Sequence, residues 1–420
     1  MKPPAISMFG VFGAGNLGNE CTLQALVSQL REHLPNASFQ CICTGPDEVA
    51  ATYGVDAVAI KVVRANAGRI KNKVLRLLRR IVVGIPSDLW RWRRAIRIMR
   101  HTDMLIMTGT GMLGDFGIGA FGLHYEILRW SVAARLAGAK LAFVSVGAGP
   151  IHDPLSRRFV KAALRLADYR SYRDGFSKDY LESIGFQTSA DSVYPDLAFS
   201  LPRTAIPRRR DRNGRRPVVG VGVMTYFDRR SRSEEADDVY RSYIGKVADF
   251  VAWLAAHEYR VRLLIGDVVY DQRVREDLKA VLEARGVTYR DGRIIDEPAS
   301  SFEDVLTQLA GTDLLVASRF HNVLLGLLVT QLVVAISYHQ KVEALVTGVG
   351  LGEFCQDIEG LKLEQLIQQV QTLEAAGDAL RPVIQAKTEE YRAALDEQYQ
   401  RICALIGYGS GKSAALARSA

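Results

Sequence analysis

The chain has 420 residues, of which 48% are apolar, 8% aromatic and 24% charged, and 54 Lys and Arg against 46 Asp and Glu leave a formal charge of +8. That balance excludes a largely disordered chain, and the length suits two or three domains with cores of their own. The surplus of cations would attract phosphates, nucleic acid or an anionic membrane, so its distribution along the chain matters more than its sum.

The first apolar run, residues 5–11, leads through glycines into an amphipathic stretch over 20–34 with Leu23, Leu26, Val27 and Leu30 at helical spacing. Strand, glycine loop and helix follow in that order. The same rhythm predicts strands over 39–43, 104–107, 141–146 and 169–172, and helices over 121–136, 153–166 and 175–184. From 201 to 217 the pattern stops in a Pro- and Arg-rich stretch that reads as an exposed linker. It resumes with strands over 218–223, 261–265, 314–317 and 332–336, and helices over 237–256, 272–285, 302–309, 319–329 and 341–346. Alternating strands and helices predict an α/β fold with parallel sheets covered on both faces. The expected organisation is an N-terminal Rossmann-like domain over 1–200, a linker over 201–217, a C-terminal Rossmann-like domain over 218–373, C-terminal helices over 374–407 and a flexible tail over 408–420.

Residues 1–18 lack the apolar core and cleavage site of a signal peptide, so a cytoplasmic protein is expected. The most apolar stretch, 323–337, is too short and too broken by Thr330 and Gln331 to span a bilayer. Cys21, Cys41, Cys43, Cys355 and Cys403 form no CxxC pair, which points to reduced thiols rather than disulfides or zinc. No metal site and no cofactor are expected.

In open α/β sheets ligands gather beyond the carboxyl ends of the strands, so polar residues just after strands are the ones to weigh. The first such loop, Gly13-Ala14-Gly15-Asn16-Leu17-Gly18, has the form GxGxxG. A dinucleotide site would need an acid at the end of the next strand, where Thr44 stands, with Asp47 coming late. A ligand-free turn and an anion or sugar site are the other readings, and Asn16, Asn19 and Glu20 favour the sugar. Two further glycine turns, Thr108 to Asp115 with Gly111 at its centre and Gly147 to Pro150, end later strands. Arg173 and Asp174 open the helix after the strand over 169–172; they are read either as a surface ion pair or as an anion clamp beside a helix cap. Asp196 is a carboxylate within an apolar run. The most specific group is Ser318-Arg319-Phe320-His321-Asn322. Ser318 is the expected N-cap, with Arg319 and His321 in the first helical turn, and Lys341 follows the next strand. Imidazole is the side chain suited to donating a proton near neutral pH.

Taken together, these segments resemble the polysaccharide pyruvyl transferase family. The matching elements are the Gly13 to Glu20 loop, the turn around Gly109 to Gly114, Gly147-Ala148-Gly149-Pro150, Arg173-Asp174 with Ser177, Leu181 and Gly185, Pro195-Asp196, Ser318-Arg319-Phe320-His321 and Ser337 to Lys341, in family order from about residue 9 to 352. The resemblance implies two Rossmann-like domains facing a cleft, as in B-type glycosyltransferases, with acceptor on the N-terminal and donor on the C-terminal side. It implies transfer of a pyruvyl group from phosphoenolpyruvate to a sugar of a cell-surface polysaccharide or its lipid-linked precursor, forming a ketal. His321 then corresponds to the catalytic acid, Asp174 or Asp196 to the base, Arg173, Ser318, Arg319 and Lys341 to the donor site, and Gly15, Asn16, Asn19, Glu20 and Gly111 to the acceptor site. Two residues depart from the pattern: Asn19 stands where an Asp is usual, and Thr110 interrupts a glycine cluster.

The chemistry suits the residues independently, since an enol phosphate needs a proton on its methylene carbon and holders for a carboxylate and a phosphate. The rival enzyme on the same fold is a glycosyltransferase using a nucleotide sugar, for which Asp296 or Glu297 could serve. The charge divides unevenly: residues 61–101 hold 13 Lys and Arg against Asp88, and 202–217 hold seven Arg against Asp211, leaving the remainder net acidic. The first segment interleaves its cations with Leu, Ile, Val and Trp. It reads either as a helical pair packed on its own domain or as one resting peripherally on an anionic inner membrane face, with no nucleic-acid partner expected.

Overall fold

The computed structural model describes residues 3–61, 80–114, 119–210, 214–226, 234–287 and 292–407. Residues 62–79 of the basic segment, Asp115 of the second glycine turn, residues 211–213 of the expected linker and the tail over 408–420 lie outside these. The chain divides into two compact units. One comprises Met1–Ala14, Leu30–Asp196 and Glu397–Ala420, the other Gly15–Gln29 and Leu197–Asp396.

The first unit is built on a parallel sheet of β1 (Ala5–Phe9), β2 (Ser38–Cys43), β3 (Asp56–Ala59), β4 (Met104–Met107), β5 (Lys140–Val146), β6 (Tyr169–Tyr172) and β7 (Ser192–Val193), in the order β3-β2-β1-β4-β5-β6-β7. The central strand β4, Met-Leu-Ile-Met, is buried throughout, as a strand covered on both faces requires. Its helices are α1 (Leu17–His33), whose first part falls in the second unit, α2 (Pro46–Tyr53), α3 (Ile85–Met99), α4 (Leu123–Ala137), α5 (Pro154–Arg165) and α6 (Gly175–Ser183). Asp153 and Asp174 are the N-caps of α5 and α6, each accepting the backbone N–H of a serine three residues on at 2.7 Å. Phe9, Met107, Trp130, Phe143 and Tyr172 lie in the core.

The second unit carries β8 (Val218–Gly222), β9 (Arg260–Leu264), β10 (Ile294–Ile295), β11 (Leu314–Ala317), β12 (Leu332–Ser337) and β13 (Cys355–Asp357), parallel and ordered β10-β9-β8-β11-β12-β13. Around it stand α7 (Glu234–Ala256), α8 (Asp271–Ala284), α9 (Phe302–Ala310), α10 (Phe320–Leu328) and α11 (Gln340–Gly348). Ser301 and Asp304 close a reciprocal capping box at the start of α9. The chain joins this unit at Leu197, earlier than the Pro- and Arg-rich stretch suggests, and Leu197, Ala198, Phe199 and Leu201 are buried in it.

The closing helices are one helix, α12 (Leu363–Ala404), 42 residues long with Pro382 inside it. From Glu397 onward it belongs to the first unit. There the buried Gln398 donates to the Ser171 hydroxyl at 2.7 Å and accepts from the Ser145 hydroxyl at 3.1 Å. The two parallel sheets with interleaved helices are the α/β architecture expected from the alternating pattern. No described helix is long and apolar enough to cross a membrane, and the five cysteines are free thiols.

Candidate active site

The second unit places His321 in the first turn of α10, directly after β11, where backbone N–H groups and the helix dipole favour an anion. The imidazole packs against Gly18 of α1, a position with no room for a Cβ beside the ring. This contact exists because the loop before α1 is stitched to the end of β9. Leu17 N–H donates to the Gly266 carbonyl at 3.2 Å, Val268 N–H to the Gly15 carbonyl at 3.0 Å, and Asn16 pairs with Asp267 in an antiparallel bridge. Gly15 has φ +81°, and the side chains of Val268 and Val269 occupy the space a Cβ would need. Asn16 Oδ1 accepts the Asn19 N–H at 3.2 Å, starting α1, and Glu20 is buried in its first turn. Gly15, Asn16, Asn19 and Glu20 therefore share a unit with His321 rather than with the first sheet.

Arg319 stands beside them. Its guanidinium forks onto Asp271, with Nη2 at 2.5 Å from Oδ1 and Nε bonded to Oδ2. Asp271 is fully buried and also accepts Thr225 N–H at 3.1 Å and Gly266 N–H at 3.0 Å. Burial works to lower the Arg319 pKa, but the Asp271 charge and hydrogen bonds outweigh it and raise it. Asp267 Oδ1 accepts the Val269 and Tyr270 N–H groups at 3.0 and 2.9 Å, yet burial prevails and holds its carboxyl above the ordinary aspartate value.

Ser318 does not cap α10. Arg319 occupies the N-cap position without a side-chain cap bond. The Ser318 hydroxyl instead pairs with the Tyr243 hydroxyl at 2.7 Å, because α7 brings the phenol under the end of β11. Burial pushes Tyr243 up to about 12, so the pair remains neutral hydrogen-bonding groups. Lys341 opens α11, where His339 is the N-cap and accepts the Lys341 N–H at 3.2 Å. The Lys341 ammonium lies 4.9 Å from the Tyr338 ring centre and 5.8 Å from that of Phe320, whose ring meets His321 edge-on at 5.2 Å. Phe320 is thus a common neighbour of the imidazole and the ammonium.

The first unit gathers the other predicted residues. The Arg173 guanidinium lies over Gly147 and reaches Asp174 at 3.3 Å and Asp196 at 3.4 Å, both side chains largely shielded from solvent. Asp174 caps α6, and Ser177 in turn accepts the Ala148 N–H at 2.9 Å. Gly147 N–H donates to the Thr110 carbonyl at 3.1 Å and Leu113 N–H to the Gly147 carbonyl at 3.2 Å, so the turn around Gly111 is zipped to the turn around Gly147. The two glycine turns, Arg173, Asp174 and Asp196 form one assembly.

Asp267, Asp271 and Tyr243 are site residues that the sequence reading passed over. Asp267 had a signal, being the first acid after β9, whereas Asp271 and Tyr243 become visible only through their partners Arg319 and Ser318. Among the described residues, no three His, Cys, Asp or Glu side chains gather as a metal-holding set.

Comparison with known proteins bears on the fold and the family. In sequence, no curated protein matches the chain. The fold is similar to that of S. aureus MnaA in a structure with UDP (12% identity over 97% of this chain and 98% of that one, TM-score 0.59). It is similar as well to a glycosyltransferase from Rickettsia africae ESF-5 (10%, 97% and 99%, 0.59) and to the UDP-GlcNAc 2-epimerase from Neisseria meningitidis bound to UDP-GlcNAc (10%, 91% and 94%, 0.53). The fold is therefore that of B-type glycosyltransferases and related epimerases. The family model for polysaccharide pyruvyl transferase matches residues 16–340, from the loop that meets His321 through the start of α11, and the chain belongs to that family of transferases.

Proposed function

We propose that this transferase moves a pyruvyl group from phosphoenolpyruvate onto two hydroxyls of a polysaccharide sugar or its lipid-linked precursor, with His321 as the general acid. His321 gives a proton to the methylene carbon, which becomes the methyl group. The central carbon then bonds to the two sugar oxygens as its bond to the phosphate oxygen breaks. Of the two hydroxyl protons, one restores the acid and the other leaves with inorganic phosphate. The observation that carries this reading is the grouping in unit two: an imidazole in the first turn of α10, a guanidinium held by Asp271, and the Lys341 ammonium beside a shared Phe320.

Arg319 and Lys341, with the α10 N-terminus, suit a substrate bearing a carboxylate and a phosphate. Asn16, Asn19 and Glu20 supply hydrogen-bonding groups of the kind that hold sugar hydroxyls. Arg173, Asp174 and Asp196 act as a unit in this reading, the arginine holding both carboxylates ready, one of them the base. The protein works on the cytoplasmic side of the membrane.

A nucleotide-sugar glycosyltransferase is the second reading, favoured by fold relatives solved with UDP or UDP-GlcNAc. Titration calorimetry separates the two. Heat with phosphoenolpyruvate and none with UDP-sugars supports pyruvyl transfer; the reverse supports the alternative.

A further inference from the structure

The helix α3 is fixed to the first unit by a polar set centred on the buried Arg129 and Glu126. Asp88 accepts Arg129 Nη2 at 2.5 Å and the Tyr125 hydroxyl at 2.8 Å, and Glu126 accepts Arg129 Nη1 at 2.5 Å. The Arg129 guanidinium lies 4.6 Å from the Tyr125 ring centre and 5.7 Å from that of Trp92. Arg94 donates to the Ala59 carbonyl at 2.9 Å, and Arg91 lies 3.8 Å from Asp88. Of these cations, Arg129 and Arg94 hold the helix to the unit, whereas Arg91 pairs within it.

What α3 turns to solvent is different. Pro86, Leu89, Trp90, Arg93, Arg97 and Arg100 are all exposed and, at spacings of three, four and seven, share one stripe. Ile85 and the preceding Val82 and Val83 extend its apolar end, and their exposures with those of Leu89 and Trp90 run from 42% to 66%. The stripe is sorted along its axis, aliphatic and indole groups first, arginines last, and none of these exposed residues is acidic. A nucleic acid would have no use for the aliphatic end, and a second copy of the chain would set arginine against arginine. Apolar insertion beside a basic ladder is what an anionic bilayer surface accepts.

We infer that this stripe docks on an anionic lipid bilayer, with Val82 to Trp90 in the headgroup boundary and Arg93, Arg97 and Arg100 on lipid phosphates. The inference rests on the lipid-linked form of the acceptor in the proposed function, and it names the face that meets that lipid. It also gives α4 a second duty. The helix that anchors α3 through Tyr125, Glu126 and Arg129 holds the Gly111 turn through His124, whose Nε2 lies 3.2 Å from the Gly114 carbonyl.

Flotation with vesicles of phosphatidylcholine alone, or of phosphatidylcholine mixed with phosphatidylglycerol, tests the docking. The protein is expected to float only with the mixed vesicles and to be released by salt. Replacing Arg93, Arg97 and Arg100 together with Gln should lower partitioning about a hundredfold. Leu89→Ser with Trp90→Ser should abolish flotation without any change of charge. No flotation of the wild type, equal flotation with neutral vesicles, undiminished binding by both variants, or a dimer that the Leu89 and Trp90 changes dissolve would overturn the inference. Phosphate release from phosphoenolpyruvate with a soluble sugar acceptor keeps the two proposals apart: docking variants should retain it, whereas a protein that floats but never releases phosphate refutes the transferase chemistry alone.

Discussion

Gly18 and His321, about three hundred positions apart in sequence, are packed so closely that the second residue of α1 leaves no space for a side chain beside the imidazole. Gly18→Ala should push the ring from its place. Because a displacement of about 1 Å at a reacting group costs about a hundredfold in rate, kcat is expected to fall by that order with a smaller change in KM for the donor. Steady-state phosphate release measures both, and an unchanged kcat would remove the contact from the account.

The Arg319–Asp271 fork makes a separate prediction about stability. Asp271→Ala leaves a guanidinium uncompensated and strips Thr225 and Gly266 N–H of their acceptor. Breaking a pair of this kind costs about 3–5 kcal/mol. Urea denaturation of the variant should show that loss, and one below about 1 kcal/mol would mean the pair is solvated in solution.

Asp267 gives the pH prediction. Burial raises its carboxyl pKa in the folded state above the ordinary value of 3.8. Between the unfolded and folded values the native state binds more protons, so this group's contribution to stability falls as pH rises through that window and stays unfavourable above it. Asp267→Asn keeps an oxygen for the Val269 and Tyr270 N–H groups while removing the charge. Melting curves should therefore show the variant gaining on the wild type as pH climbs from the acid range to neutrality; a gap that narrows with pH would contradict this.

Gln398 tests the return of α12 to the first unit. Gln398→Leu strands the buried Ser145 hydroxyl and removes one donor to the Ser171 hydroxyl, and about 1–3 kcal/mol of stability should be lost. Equal denaturation midpoints for wild type and Gln398→Leu would speak against the bonds.

Much of this was legible in the sequence. Apolar runs at strand length and helical spacing located both sheets, and Asp174 caps α6 as its place before Gly175 suggests. His321 and Lys341 stand out as candidates because they follow strands directly. The rest depended on partners far away along the chain. Asn16 to Glu20 read as part of the N-terminal domain, yet backbone bonds to Gly266 and Val268 draw them to the second unit. Ser318 has the composition of an N-cap, but the Tyr243 hydroxyl engages it, leaving Arg319 at that position. The pull of a buried phenol or carboxylate on a neighbour has no periodicity to betray it. The basic segment had a composition compatible with packing or with membrane contact, and only the structure sorts Arg91 and Arg94, turned inward, from Arg93, Arg97 and Arg100.

The central claim is that His321 protonates phosphoenolpyruvate. The most direct measurement is acceptor-dependent phosphate release from phosphoenolpyruvate by wild type and His321→Gln, with thermal unfolding confirming that both are folded. Loss of a general acid predicts a fall of about 10²–10⁴-fold in kcat. Turnover at the wild-type rate in the folded variant would contradict it.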